Sequence, residues 1–71
     1  MAKAEYKSAI RSRRMIQRAL VELLQEKELD KITVTDIVTR ADINRGTFYT
    51  HYSDIYDLLE KMEEEMMEDF Q

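Results

Sequence analysis

The sequence predicts a small all-α domain, a short bundle of four helices, and three observations lead there. Apolar residues recur at helical spacing along most of the chain. Proline is absent and glycine occurs once, which leaves little material for hairpin turns between strands. At 71 residues the chain supports one core, because a domain of this size buries only about 60% of the surface its unfolded chain exposes. Residues 1–71 therefore read as a single domain. A composition of 44% hydrophobic and 37% charged residues is that of a folded chain. The lack of cysteine removes disulfides, thiolate metal sites and thiol nucleophiles. No apolar run approaches the roughly 20 residues that span a bilayer, and the first residues lack a signal-peptide core. A cytoplasmic protein without membrane contact is the expectation.

Ile16, Ala19, Leu20, Leu23 and Leu24 make the i, i+3, i+4, i+7, i+8 stripe of an amphipathic first helix. Ile10 extends it backwards, and residues 1–7 are expected to fray. Lys27 to Lys31 breaks the period as a polar connection, with Leu29 and Ile32 as its apolar anchors. The second helix is announced by Thr33 as N-cap and Asp36 at the third helical position, where a carboxylate meets free amides and the positive end of the helix dipole. Val34, Ile37, Val38 and Ala41 give it one apolar face. It must end near Ala41, because Asn44 is the cap candidate for a third helix of only two turns that starts at Arg45. Ser53 is the cap candidate for the last helix, with Asp54 and Asp57 in its first turn. Ile55, Leu58, Leu59, Met62 and Met66 mark its buried side. Helices of seven or eight residues are not stable alone in water, so the two longer helices must clamp the short pair.

Two short helices joined by a tight turn, residues 33–52, have the helix-turn-helix layout. The third helix is built from Gly46, two threonines, two tyrosines and His51, all middling or poor helix formers. Glycine inside a helix costs about 1 kcal/mol relative to alanine, and close approach of another backbone, protein or DNA, is its natural reason. Phe48 and Tyr52 lie four apart and face the core. That leaves Arg45, Thr47, Tyr49, Thr50 and His51 for the outer face and its flanks. Hydroxyls, an imidazole and a guanidinium are the groups that hydrogen-bond phosphates and base edges. An outer face without a carboxylate, in a chain holding 15, suits a polyanion.

Charge is divided along the chain. Residues 1–52 carry ten Lys+Arg against seven Asp+Glu, whereas residues 53–71 carry one lysine against eight acids. Lys7, Arg11, Arg13, Arg14 and Arg18 follow one another without an intervening acid. They would supply a field that draws DNA in and weakens with salt. His51 stands alone, with no cysteine or second histidine to make a metal site. No triad and no glycine-rich phosphate loop is present, so neither an enzyme nor a cofactor is expected. Asp54 and Asp57 are explained by helix capping. A rival reading from another class is a protein-interaction module that docks through its acidic, Met-rich last helix and makes no use of Arg45, Tyr49 or His51.

The stretch Thr33-x-x-Asp36-Ile37-x-x-x-Ala41-x-Ile43-x-x-Gly46-Thr47-Phe48-Tyr49-x-His51-Tyr52 resembles the homeodomain-like DNA-binding domain of the tetracycline-repressor (TetR) family. The resemblance covers residues 8–66, and Gly46 to Tyr52 is its most specific part. It implies a bacterial, homodimeric transcriptional regulator, usually a repressor, that reads a palindromic operator in double-stranded DNA. Carried over, Arg45, Gly46 and Thr47 would approach base edges, and Tyr49, Thr50 and His51 would contact phosphates and flanking bases. Thr33 and Thr35 would touch the DNA backbone, and Asn44, at the cap of the reading helix, is counted with them. Family members usually place a lysine where Ile55 stands. Its phosphate contact would fall to Tyr56, to the Ser53 hydroxyl or to a backbone amide. Family members also continue into a larger helical domain that dimerises and binds a small-molecule inducer. Residues 53–71 are accordingly expected to connect to such a domain, with Met62, Met66, Met67 and Phe70 at the edge where it packs. Alone, the chain is expected to be a monomer that binds one half-site weakly.

Overall fold

The structure is a computed structural model that describes the backbone of residues 2–69 and the side chains of residues 7–66. The elements are α1 (Ala2–Leu24), a 3-10 turn (Leu29–Lys31), α2 (Val34–Ala41), α3 (Arg45–His51) and α4 (Ile55–Asp69). There is no strand among the described residues. Ile16 and Leu20 of α1, Ile37 of α2, Phe48 of α3 and Leu58 of α4 are fully buried together, so every helix contributes to one core. Burial of a large apolar side chain is worth about 1.5–3 kcal/mol each, and this shared core clamps the two short helices. Arg40 of α2 adds ion pairs to Glu22 of α1 and to Glu26 just beyond its end, at 3.5 and 2.6 Å.

Helix ends follow their caps. At α2 the Thr33 hydroxyl accepts from the Asp36 amide at 3.1 Å, while the Asp36 carboxylate accepts from the Thr33 amide at 3.0 Å. This reciprocal box satisfies two amides that the helix itself leaves free. The α2–α3 turn depends on Asp42, which sits in the left-handed region at φ 56° and ψ 48° and donates its amide to the Thr39 and Val38 carbonyls. Aspartate tolerates that conformation better than most residues. The first turn of α4 differs from expectation: its cap is Asp54 rather than Ser53. The Asp54 carboxylate accepts from the Asp57 amide at 2.8 Å, and Asp57 reaches back to the Ser53 amide at 2.9 Å.

The backbone of α1 is helical from Ala2, where fraying over residues 1–7 was expected. Ala2, Lys3, Ala4 and Glu5 include no helix breaker. Leu24 is exposed at the end of α1, although the apolar stripe assigns it to the core. Leu59 and Met62 pack half-buried against the core, but Met66 is 61% exposed, although the apolar spacing of α4 assigns it to the buried side. Met67 and Phe70 lie outside the described side chains.

Candidate nucleic-acid interface

α3 is held by one edge. Phe48 and Tyr52 enter the core, while Arg45, Gly46, Tyr49 and Thr50 are exposed and Thr47 and His51 half-buried. At 100° per residue, Gly46 and Thr50 form the middle of the outward face. Arg45 and Tyr49 flank it on one side, Thr47 and His51 on the other. Tyr49 is 50% exposed and rests edge-on against Phe48, with ring centroids 5.4 Å apart. That contact limits the arc its hydroxyl can sweep.

The N-terminal end of α3 is fixed to α2. Asn44 caps the helix, its Oδ1 accepting from the Thr47 amide at 2.8 Å and from the Thr47 hydroxyl at 3.0 Å. With the oxygen so engaged, the amide nitrogen of Asn44 points elsewhere with two protons to donate. The Arg45 guanidinium donates to the Thr35 hydroxyl oxygen in the first turn of α2. Thr35 keeps its own proton, and the guanidinium keeps its remaining N–H groups. Thr35, Asn44 and Arg45 are thereby brought together as one cluster of exposed donors beside Thr47, with Thr33 at the cap of the adjoining helix. The sequence predicts each of these residues for the interface but gives no sign of the bond between Arg45 and Thr35.

Two hydroxyls are less available than the sequence suggests. Thr50 donates to the Gly46 carbonyl at 2.9 Å, and Thr47 donates to Asn44. In this geometry both present oxygen lone pairs and a methyl group outward, and neither has a proton for a phosphate. The expected phosphate contact of Thr50 is therefore not what the free chain offers. Gly46 adopts no positive φ, and a Cβ placed there would meet only the Asn44 Oδ1, at 3.3 Å. Among the described residues nothing else comes close to it, and an added methyl would press only on that cap oxygen, which the Thr47 amide and hydroxyl hold.

His51 sits on the flank nearest α1. Burial, and then the positive charge of Arg13, push its pKa below the ordinary 6.5, so the imidazole is neutral at pH 7. Tyr56 is 61% exposed in the first turn of α4. Its neighbour Ile55 is 6% exposed and belongs to the core, so this position makes no polar contact at the surface.

The sequence reading missed the polar seam that fixes the C-terminal end of α3. Gln17 of α1 donates to the Tyr52 hydroxyl at 3.3 Å and to Glu65 of α4 at 3.0 Å. Arg13 reaches the same Glu65 at 3.8 Å, and the Lys61 ammonium lies 5.8 Å from the centre of the Tyr52 ring. Burial drives the Tyr52 phenol pKa upward, which keeps the hydroxyl protonated.

Comparisons with known proteins agree with this geometry. The family model described as bacterial regulatory proteins, tetR family, matches residues 16–62, which run from the middle of α1 through both short helices into α4. Over 54 residues the chain is 39% identical to YxbF of Bacillus subtilis (strain 168), described as an uncharacterized HTH-type transcriptional regulator. Over 52 residues it is 36% identical to YvdT of the same organism, described in the same words. The matches take in 75% and 73% of this chain but only 14% and 27% of the relatives' own lengths. No solved structure matches the chain significantly. With a helix-turn-helix formed by α2 and α3, and with a family match over most of its length, the chain belongs to the tetR family of DNA-binding bacterial regulatory proteins.

Proposed function

We propose that α3 lies in the major groove of double-stranded DNA and reads one half-site of a palindromic operator, and that the regulator is a repressor. The observation that carries this reading is the outward face of α3. It has no carboxylate, its centre is made of the small residues Gly46 and Thr50, and its N-terminal end is a cluster of donors pinned to α2. Arg45 and Thr47 stand where base edges come within reach, and Thr33, Thr35, Asn44, Tyr49, His51 and Tyr56 serve the phosphates.

The whole regulator acts as a homodimer that places two such helices about one DNA turn apart. A small-molecule inducer bound by another part of the protein changes that separation and releases the operator. The chain alone is a monomer that engages a half-site weakly, because it lacks the gain from a linked second site. The exposure of Met66 supports a further role for α4 as a surface on which more protein packs. A module that works through α4 alone, without DNA, is the competing reading.

The test is a selection from random duplexes, with the chain immobilised densely at low salt. Enrichment of one half-site or its inverted repeat is expected. Arg45→Ala should then relax preference at particular base pairs while binding persists. Retention without preference would overturn the reading and leave only a basic surface, and no retention by a demonstrably folded sample would overturn it in favour of the α4 module.

A further inference from the structure

Among the described residues, five cations are paired and five are not, and two of the unpaired ones, Lys31 and Arg45, lie away from α1. Arg13, Arg18, Lys27, Arg40 and Lys61 each sit against a carboxylate. Lys7, Arg11 and Arg14 have no such partner among the described residues, and all three are exposed. They occur at i, i+4 and i+7 of α1, which places them on one face as a continuous ridge. With Ile10 and Met15 they line a shallow surface groove. The sequence keeps acids away from this ridge: no carboxylate occurs from Tyr6 to Val21, in a chain with 15 of them. Glu65 does cross from α4 to the edge of this ridge, where it lines a groove with Arg13, Arg14 and Gln17, but its carboxylate is engaged by Arg13 and Gln17.

The ridge also has a defined place. Gln17, one turn beyond Arg14, is bonded to Tyr52 at the C-terminal end of α3. From there α1 carries the three charges toward its N-terminus over about 10 Å, at 1.5 Å per residue. Phosphates of one DNA strand succeed each other about every 3.4 Å along the axis, so the ridge is long enough for about three of them. Guanidinium groups suit phosphate oxygens by geometry as well as by charge.

We propose that Lys7, Arg11 and Arg14 form a second DNA-contacting surface, which holds backbone phosphates outside the base pairs that α3 reads. This rests on the DNA reading proposed above, and it adds a partner surface that carries affinity without sequence preference. It makes the footprint on DNA longer than the recognised half-site.

The test compares two duplexes, one just covering the selected half-site and one extended by about ten base pairs on each side, a full DNA turn. Binding of the chain to each is followed across a salt series. On the extended duplex, the variant Lys7→Gln/Arg11→Gln/Arg14→Gln should lose about two to three units of the slope of log K against log salt, since each phosphate contact contributes about 0.9. On the short duplex the variant and the parent chain should agree, and the selected base preference should not change. A second variant, Arg11→Lys/Arg14→Lys, keeps the charges and should keep the slope, with helicity measured by circular dichroism for both. Equal slopes for parent and triple variant on the extended duplex, in a folded sample, would overturn the ridge while leaving the α3 reading intact. Failure of the parent chain to bind either duplex would overturn both.

Discussion

The Thr50 hydroxyl is turned inward onto the Gly46 carbonyl, one helical turn back and 2.9 Å away. The residue at the middle of the outward face therefore presents lone pairs and a methyl group outward, and these are what the proposed docking would bring to DNA. Phosphates accept hydrogen bonds and do not donate them, so Thr50 is matched to base edges that donate, such as the amino groups of adenine and cytosine.

Replacing Thr50 with valine should accordingly change preference at a single base pair by about 1–3 kcal/mol and leave the salt dependence untouched. Thr50→Ser, which retains the oxygen, should keep the preference. Competition among duplexes varied one position at a time measures both. Uniform weakening on every sequence would return Thr50 to the phosphate contacts.

Gly46→Ala separates fold from function. Alanine is favoured over glycine within a helix by about 0.5–1 kcal/mol, and the added Cβ would crowd only the Asn44 Oδ1. That oxygen is held by the Thr47 amide and hydroxyl, so crowding at the cap offsets the gain in helix propensity. Thermal unfolding should show a variant within about 1 kcal/mol of the parent. Its DNA affinity should fall at least tenfold, because the new methyl stands where a groove wall approaches. A variant that is both stable and fully competent would show that the glycine is not required by DNA.

The first turn of α4 gives a paired prediction. Ile55→Lys would bring an ammonium to a buried position, losing apolar burial worth about 1.5–3 kcal/mol, so a lower melting temperature is expected rather than tighter binding. Tyr56→Phe should leave melting unchanged and weaken binding about equally on all sequences, as loss of a backbone contact does. Unaltered affinity in Tyr56→Phe would remove that residue from the interface.

Stability should decline with acid in two separate windows. Burial and Arg13 hold His51 below its ordinary 6.5, so the unfolded chain takes up that proton first. Stability is thus fully retained above the unfolded value and lost as pH falls from about 6.5 through the folded one. Asp36 and Asp57 are lowered from 3.8, chiefly by the Thr33 and Ser53 backbone amides and then by Lys27 and Lys61. Their contribution is present above about pH 4 and disappears as pH drops through the folded values. Melting curves for His51→Gln should lack the first decline, and those for Asp36→Asn should show a smaller second one.

Local rules carried most of the sequence reading. Thr33 with Asp36 announces α2, Asn44 announces α3, and Phe48 with Tyr52 marks the buried edge, because each depends on residues three or four apart. Ser53 and Asp54 are both good caps, and only the start of α4 at Ile55 decides between them. Leu24 fits the helical period, yet the period does not say where the neighbouring helices stop. The bonds of Gln17 to Tyr52 and Glu65 join positions 35 and 48 residues apart, and no spacing pattern encodes them. The inward turn of Thr50 depends on a side-chain rotamer, which its place on the helical wheel leaves open.

Burial of α3 through Phe48 and Tyr52 has a consequence for how such a domain diversifies. Gly46, Tyr49 and Thr50 are exposed outside the buried core, whereas Arg45 ties α3 to α2 and Thr47 holds the cap. On the proposed docking the fold works as a holder and the exposed residues as an exchangeable text, so new operators would be reached by rewriting a few side chains. Asn44 is the exception, since it ends the holder and begins the text.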